Sequence, residues 1–160
     1  MDAKVVRVKD SAASVNAELH GLYLEDIEVG MTAVYARTVT DADIVLFAGI
    51  SGDTNPLHLS SDFADGTHFE GRVAHGMLTA SFISAVIGTK LPGPGCIYMS
   101  QSIRWNAPVR AGDSVLARVT IEEITYDKQR LRLSTICTVG EEVVIEGEAL
   151  VKVPSRLAPA

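Results

Sequence analysis

Three side chains able to do acid–base or amide chemistry lie close together in the middle of the chain. Asp53, Asn55 and His58 supply a carboxylate, an amide and an imidazole, and Pro56 stiffens the turn that joins them. Adding water across a double bond needs one group that takes a proton from water and one that returns a proton to carbon. A carboxylate and an imidazole sharing one water can do both, and Asn55 could hold the imidazole tautomer or the ligand. The alternative is a purely structural Asx turn.

A second stretch, Val73–Met77, opens an apolar helical segment and contains Gly76. The first N–H groups of a helix have no partner inside it, and the helix dipole adds partial positive charge there. Glycine also lets a ligand approach the backbone closely. A thioester carbonyl at the Gly76 N–H would be polarised, and the enolate formed in the reaction would be stabilised. The alternative is a glycine that is needed only for packing.

Hydrophobic periodicity and turn residues predict three helical segments and five strands. The helical segments are 41–50, 61–64 and 75–89. The strands are 31–39, 96–105, 114–124, 131–139 and 143–153. We expect Asp53 and His58 to lie on an irregular turn after the first helix. The longest helix is apolar around most of its circumference, which predicts burial, and an antiparallel sheet wrapped around one buried helix is an α+β architecture.

Two local signals support this layout. Thr40 and Asp43 resemble a capping box ahead of the first helix. The strand 131–139 partly alternates polar and apolar residues, which predicts a sheet with one solvent-facing side.

The chain divides into three segments. Residues 1–20 mix charged and small residues and are expected to form a loosely ordered extension, with a short strand near residues 5–8. Residues 21–154 form a single domain, and the tail 155–160 is expected to fray.

The composition argues against several classes of protein. A net charge of −6 is unlike a nucleic-acid or anionic-membrane binding surface. We find neither a secretory signal nor a membrane span, and we expect a cytoplasmic protein. Cys96 and Cys137 lie in apolar stretches without metal-ligand spacing, which predicts two buried, reduced thiols.

Residues 21–154 resemble the MaoC-like dehydratase family, the (R)-specific enoyl-CoA hydratases. The pieces that carry the resemblance are Tyr23–Asp26, Val29–Gly30, Phe47–Ala48, Ser51–His58, Phe69, Val73–Leu78 and Pro92–Gly95. The resemblance implies a hot-dog fold with an overhanging segment that carries the hydration motif, and dimers whose two sheets become continuous. One departure is Ser60, because many members of the family carry Asp at that position.

The resemblance also implies roles for individual residues. Asp53 and His58 are implied to activate the water, and Gly76 is implied to donate its N–H to the thioester oxygen. Ser84, on the long helix, is implied to line the acyl pocket. The expected substrate-binding residues are Asn55, His75, Met77 and Ser84.

The expected activity is that of a hydro-lyase: reversible syn hydration of a short- or medium-chain trans-2-enoyl-CoA to the (R)-3-hydroxyacyl-CoA. The substrate brings the coenzyme A thioester, and no other cofactor is expected. His58, His68 and His75 match no zinc motif, so no metal is expected. The expected partners are the acyl-CoA and a second copy of the chain. Candidates for contacting the coenzyme A phosphates are Arg72, Lys90, Arg104 and Arg110.

Three alternatives remain open from the sequence. A dehydratase acting on acyl carrier protein would keep the chemistry. Such an enzyme needs a basic docking surface, which the acidic composition of this chain does not indicate. A hot-dog thioesterase would aim water at the carbonyl carbon, and a non-catalytic subunit would only bind acyl-CoA. The sequence also leaves open the acyl chain length and which of Asp53 and His58 protonates C2.

Overall fold

The computed structural model describes residues 18–157, so the strand expected near residues 5–8 lies outside the described residues. The helices that lie wholly within this range are α1 (Asp41–Ser51), α2 (Pro56–Leu59), α3 (Ser61–Asp65) and α4 (Gly76–Thr89). The strands are β1 (Thr32–Thr38), β2 (Ile97–Trp105), β3 (Ser114–Thr125), β4 (Arg130–Val139) and β5 (Glu142–Lys152). A short 3-10 helix, Leu24–Asp26, precedes β1.

The strands form one five-stranded antiparallel sheet in the order β1-β3-β4-β5-β2. Helix α4 packs across the sheet and contacts β1, β2, β3 and β4. The buried side chains of α4 are Leu78, Thr79, Ala80, Phe82, Ile83, Val86 and Ile87. They form the core together with the inward side chains of the sheet. The expected α+β architecture, one buried helix against an antiparallel sheet, is therefore confirmed.

Side chains on β4 alternate between the core and solvent. Leu131 and Leu133 are fully buried. Between them, Arg132 points outward and forms ion pairs with Glu123 at 3.2 Å and Glu148 at 2.9 Å on the neighbouring strands. The prediction of a sheet with one solvent-facing side is confirmed here, because the period-2 geometry of a strand sends alternate residues to opposite faces.

Both cysteines are free thiols, but they differ in burial. Cys137 on β4 is fully buried, and this burial raises the pKa of its thiol to about 12. Cys96 is only half-buried, and desolvation raises its thiol pKa as well. The prediction of two buried thiols is therefore correct for Cys137 and only partly correct for Cys96, which directly precedes the edge strand β2.

Helix α1 begins and ends at the signals seen in the sequence. The Thr40 hydroxyl accepts a hydrogen bond from the Asp43 N–H at 3.2 Å, and the Asp43 carboxylate accepts one from the Thr40 N–H at 2.9 Å. This reciprocal capping box satisfies two N–H groups that the helix leaves unpaired. Gly52 ends the helix with φ of +77°, a left-handed conformation that glycine adopts without strain.

The C-terminal segment is attached to the rest of the domain. The Leu24 N–H donates to the carbonyl of Pro154 at 2.9 Å. The Arg156 guanidinium donates two hydrogen bonds to the Asp26 carboxylate, at 2.6 and 2.7 Å. The expectation that the tail frays is therefore wrong for residues 155–157, because acidic residues on the 3-10 helix hold them in place.

Strand β2 forms one edge of the sheet and pairs only with β5 among the described strands. Three of its large side chains, Ile97, Met99 and Trp105, are exposed. An apolar edge strand with unpaired backbone groups is a natural site for pairing with another chain. Between residues 18 and 157, none of the helices combines the length and the apolar character that crossing a bilayer requires.

Candidate active site

The segment between α1 and α2 is a chain of hydrogen bonds from side chains to the backbone. The Ser51 hydroxyl accepts from the Asp53 N–H at 3.2 Å, and the Asp53 carboxylate accepts from the Asn55 N–H at 3.2 Å. The Asn55 amide oxygen then accepts from the Leu57 N–H at 3.0 Å. The structural turn that the sequence offered as an alternative is therefore present, and it fixes the backbone that carries the candidate chemical groups.

His58 lies on a helix, so the expectation that it sits on an irregular turn is wrong. Asn55 caps α2, and Pro56 is its first residue. Proline suits this position because its φ is already helical and its missing N–H would have no partner there. Asp53 does lie on the irregular turn, and the single turn of α2 then carries His58 to the inner side of the segment.

The His58 ring is buried, and its two nitrogens have different surroundings. Nδ1 lies 2.8 Å from the carbonyl oxygen of Val73. Because a carbonyl only accepts, Nδ1 carries the hydrogen, and Nε2 of the neutral ring then has a free lone pair. The suggestion that Asn55 holds the His58 tautomer is therefore wrong, because the Val73 carbonyl does so.

Nε2 of His58 faces the carboxylate of Asp53 at 3.9 Å. This distance is too long for a direct hydrogen bond, and the Asp53 side chain is 52% exposed. A water between the two groups can donate one hydrogen to each acceptor, which leaves an oxygen lone pair for attack. The two acceptors are therefore spaced so that one water molecule could bridge them.

Gly76 is the first residue of α4, so its N–H has no acceptor within the helix. A Cβ atom at this position would lie 2.5 Å from Nε1 of Trp105, closer than real Cβ contacts allow. The packing explanation for this glycine therefore applies. It is compatible with the ligand-binding explanation, because the N–H remains at the positive end of the helix dipole.

A cavity of about 300 Å³ lies beside His58 and Gly76, whereas Asp53 is not among the residues that line it. Its lining includes His58, Gly76, Thr79 and Trp105. The remaining walls are mostly apolar and come from Leu57, Phe69, Val73, Ala74, Asn106, Ala107, Pro108, Val109 and Ile145. His58 and the start of α4 therefore line the same mostly apolar cleft, which could hold an acyl group.

Met77 and Ser84 line a different cavity. This second cavity has a volume of about 430 Å³, lies between α4 and β2, and also includes Phe47. Both Met77 and Ser84 are exposed. The structure therefore does not bring these two predicted substrate-binding residues into the cavity that contains His58 and Gly76.

His75 lines neither cavity. Its side chain is almost fully buried, its Nε2 lies 2.9 Å from the backbone carbonyl oxygen of Asp53, and its ring centroid is 3.8 Å from that of His58. His75 was predicted to bind substrate. In the structure its Nε2 and its ring instead contact Asp53 and His58. Asn55, by contrast, is exposed beside Asp53, and its amide oxygen caps α2.

The donor set can be compared with the needs of a metal. Possible ligand atoms of Asp53, His58 and His75 lie within 4.8 Å of one another. Ligand atoms in a tetrahedral zinc site lie roughly 3.4 Å apart, given bonds of about 2.1 Å. Nδ1 of His58 and Nε2 of His75 already bond to backbone carbonyls. This geometry favours a hydrogen-bonded water site, and the expectation that no metal binds stays a prediction.

Most of the basic residues considered for phosphate binding have partners inside the protein. Arg110 donates to the carbonyls of Phe69 and Arg72, and it thereby holds the loop that forms one wall of the first cavity. Lys90 donates to a carbonyl of β1 at 2.7 Å, and Arg72 pairs with a carboxylate of α1. Arg104 is 78% exposed and pairs with Glu146 only at 3.5 Å, which makes it the most accessible of the four.

Sequence reasoning missed two features of the site. The carbonyl of Val73 sets the His58 tautomer, but a backbone carbonyl has no sequence signal. Trp105 was not among the predicted site residues, whereas its indole lies over Gly76 and the residue lines the first cavity. Trp105 ends a strand and Gly76 starts a helix, and these positions in the sequence do not predict that the two residues touch. Their contact depends on how the strand and the helix pack together.

The fold and the site define a class: a hot-dog domain with a carboxylate–imidazole pair beside the start of its central helix. Comparison with known proteins narrows the class. The MaoC like domain family matches residues 25–146, and the chain belongs to that family.

Three similar proteins illustrate the family relationship. A 3-hydroxybutyryl-CoA dehydratase of Methylorubrum extorquens is 52% identical over 87% of this chain and 88% of that protein. An (R)-specific enoyl-CoA hydratase of Rhodospirillum rubrum is 54% identical over 84% of this chain and 93% of its own length. The unliganded R-hydratase structure from Pseudomonas aeruginosa superposes with a TM-score of 0.80 and 38% identity, covering 88% of this chain and 94% of that chain.

Proposed function

We infer that this protein is a hydro-lyase that reversibly hydrates trans-2-enoyl-CoA to (R)-3-hydroxyacyl-CoA. The observation that carries the inference is the pair of acceptors, the Asp53 carboxylate and Nε2 of His58, which face each other 3.9 Å apart. His58 lines the cavity that also reaches Gly76. The relatives that bear hydratase and dehydratase names match at 52 and 54% identity.

In the proposed reaction, one water is held between Asp53 and His58. It donates a hydrogen to each, and one of the pair takes its proton as the oxygen bonds to C3 of the enoyl group. The electron pair of the C2–C3 double bond moves to form an enolate, and a proton then passes from the pair to C2. The charge balance closes, because the pair gains one proton and loses one proton in each turnover.

Gly76 is proposed to bind the thioester oxygen. Its N–H is unpaired within α4 and lies at the positive end of that helix. Negative charge develops on the thioester oxygen as the enolate forms, so this hydrogen bond strengthens in the transition state. Binding of the carbonyl at Gly76 would orient C2 and C3 toward the water.

The addition is proposed to be syn. Asp53 and His58 face each other across a single gap. Because both groups act on the water in that gap, the oxygen added to C3 and the proton added to C2 come from the same side of the acyl plane. A single fixed face of attack also produces a single configuration at C3, which we propose is (R).

Short acyl chains are the proposed substrates. The cavity beside His58 measures about 300 Å³ and is lined by apolar side chains, among them Val109 and Ile145. One of the relatives carries the name of a four-carbon substrate, 3-hydroxybutyryl-CoA. One methylene changes transition-state binding by about 1–3 kcal/mol, so we expect activity to fall once the acyl chain is longer than the cavity can hold.

We also propose that the chain works as a homodimer in the cytoplasm and needs no cofactor. The exposed edge strand β2 and its apolar side chains suit pairing with a second copy. The free thiols of Cys96 and Cys137 suit a reducing compartment. Proton transfer by Asp53 and His58 requires no electron carrier.

The test is incubation with crotonyl-CoA while enoyl absorbance and free thiol are followed together. Hydration lowers the absorbance without releasing thiol, whereas a thioesterase releases thiol. If crotonyl-CoA binds but is not converted, the protein is a non-catalytic acyl-CoA-binding subunit. The same assay with the acyl group on acyl carrier protein compares the two carriers, and we expect faster turnover with coenzyme A.

The site assignment is tested by Asp53→Asn and His58→Ala. Loss of one acid–base group is expected to lower kcat by about 10²–10⁴-fold. Circular dichroism and thermal unfolding should show a folded protein in both cases. Turnover at the unsubstituted rate by either variant would show that the water is activated elsewhere.

A further inference from the structure

His75 makes contacts with each part of the proposed site, although it does not line the cavity. Its Nε2 bonds to the backbone carbonyl of Asp53 at 2.9 Å, and its ring lies against that of His58, tilted by 32°, with a centroid distance of 3.8 Å. It is also the N-cap residue of α4, so the peptide bond after it supplies the Gly76 N–H. The acid–base pair and the start of the helix are thus joined through one buried side chain.

The hydrogen bond fixes which nitrogen of His75 carries the hydrogen. The Asp53 carbonyl can only accept, so Nε2 donates, and Nδ1 of the neutral ring is left with a lone pair. Nδ1 is buried and has no hydrogen-bond partner among residues 18–157. An unsatisfied buried polar atom lowers stability. A residue chosen only for packing at this position would have no reason to carry that nitrogen.

The His75 ring also contacts two other rings, those of His58 and Phe47. The Phe47 ring lies against His75 at a centroid distance of 5.1 Å. This is a packing contact, whereas the contact with Asp53 is a hydrogen bond. A phenylalanine could therefore keep the ring contacts with His58 and Phe47, but it would lose the hydrogen bond to Asp53. The two functions of His75, ring packing and hydrogen-bond donation, can be separated by substitution.

We propose that His75 is a positioning residue for the hydration reaction, which rests on the proposed function of Asp53 and His58. Its Nε2–H holds the Asp53 main chain so that the carboxylate faces Nε2 of His58 across the 3.9 Å gap. Asp53 lies on an irregular turn, and its carboxylate is half-exposed, so this bond restrains a segment that no helix or strand holds. His75 itself does not touch the substrate.

The experiment compares His75→Phe with His75→Gln. The first variant keeps an aromatic ring and removes the donor, while the second keeps an N–H at a similar reach and removes the ring. We expect His75→Phe to lower kcat by about 10²-fold, the size of effect reported for small misplacements of catalytic groups. We expect His75→Gln to recover most of that loss.

Binding and stability are measured on the same variants. Trp105 is the single tryptophan of the chain and lines the cavity, so its fluorescence reports binding of butyryl-CoA, which cannot be hydrated. The dissociation constant should change by no more than about threefold, because a positioning residue that makes no substrate contact adds no uniform binding. The melting temperature of His75→Phe should change little, because removal of the unsatisfied Nδ1 offsets the lost hydrogen bond to the Asp53 carbonyl.

Controls separate the failure of this proposal from the failure of the proposed function. His68→Phe, on an exposed loop histidine, should leave kcat and melting temperature unchanged. If Asp53→Asn is inactive while His75→Phe turns over at the unsubstituted rate, only the positioning role is overturned. If Asp53→Asn is fully active, the proposed function of the pair fails first.

Two further results would overturn the positioning role. His75→Gln could be as impaired in kcat as His75→Phe, which would show that the ring and not the donor matters. Alternatively, His75→Phe could lose melting temperature in step with activity, which would show a merely structural residue. A kcat loss confined to the donor-free variant, with unchanged butyryl-CoA affinity, supports the proposal.

Discussion

At the scale of single residues, the site depends on how hydrogen-bond donors and acceptors are distributed. Nε2 of His58 is a proton acceptor only because the Val73 carbonyl holds the hydrogen on Nδ1. The Asp53 carboxylate is kept apart from the ring by 3.9 Å. Two acceptors separated by slightly more than a hydrogen bond have little direct attraction, and a water with two hydrogens satisfies both. The chemistry thus follows from a gap between the two groups.

A substitution at Gly76 can separate the two explanations for this glycine, close packing and close approach of a ligand. Gly76→Ala would place a Cβ 2.5 Å from the Trp105 indole. Alanine gains about 1 kcal/mol over glycine in a helix, but overpacking typically costs about 1–3 kcal/mol. We therefore expect a net loss of stability in urea unfolding, together with a large fall in kcat/KM.

The matched control for this prediction is the same substitution in a Trp105→Leu background. Removing the indole should make Gly76→Ala neutral or stabilising, because the clash is gone and the helix propensity remains. Activity should still fall on adding the Cβ, if the carbonyl of the substrate approaches the Gly76 N–H. Activity equal to that of Trp105→Leu alone would limit this glycine to a packing role.

At the scale of elements, the helices and strands that the sequence predicted through periodicity agree with the structure. Helix α4 begins one residue later than expected, and β3 ends one residue later than expected. Helix α2 was not predicted, because four residues are too few for a hydrophobic period to show. Pro56 predicted only a stiffened turn, although proline is also favoured at the first position of a helix.

Asn55 tests the dependence of the site on this short helix. Its amide oxygen accepts the Leu57 N–H at 3.0 Å. Asn55→Ala removes the cap and is expected to destabilise the protein by about 1 kcal/mol in denaturant unfolding. We also expect lower kcat, because α2 carries His58. Asn55→Asp keeps a capping oxygen and should retain stability, so equal destabilisation of both variants would contradict the capping role.

At the scale of the whole molecule, the two ends of the described chain are held together. Leu24 bonds to Pro154, and Arg156 forms two hydrogen bonds with Asp26. The pKa of Asp26 is held below its usual value of 3.8, first by the hydrogen bonds from Arg156 and then by one from the Tyr23 N–H. The Asp26–Arg156 pair is far in sequence from helix α4, and we expect it to contribute to stability.

This ion pair makes a pH-dependent contribution to stability. A carboxyl group whose pKa is lower in the folded state stabilises it above the unfolded pKa of 3.8, and this stabilisation is lost as pH falls through the folded pKa. Arg156→Ala should therefore lower the unfolding midpoint at pH 7, by a small amount because the pair is exposed. The difference from the unsubstituted protein should shrink below pH 3.8. A difference that stays constant between pH 7 and the acid range would show that the pair contributes no linkage.

Periodicity, capping and turn chemistry are local properties, and they were enough to predict the buried helix, the antiparallel strands and the two motifs that contain Asp53, His58 and Gly76. Three contacts became visible only in the folded chain: the Val73 carbonyl sets the His58 tautomer, Trp105 covers Gly76, and His75 packs against His58 and bonds to the Asp53 main chain. The tertiary structure also separated Met77 and Ser84 from the cavity at His58. These contacts join residues from different elements, and their distances depend on how helix and sheet pack, which no local pattern encodes.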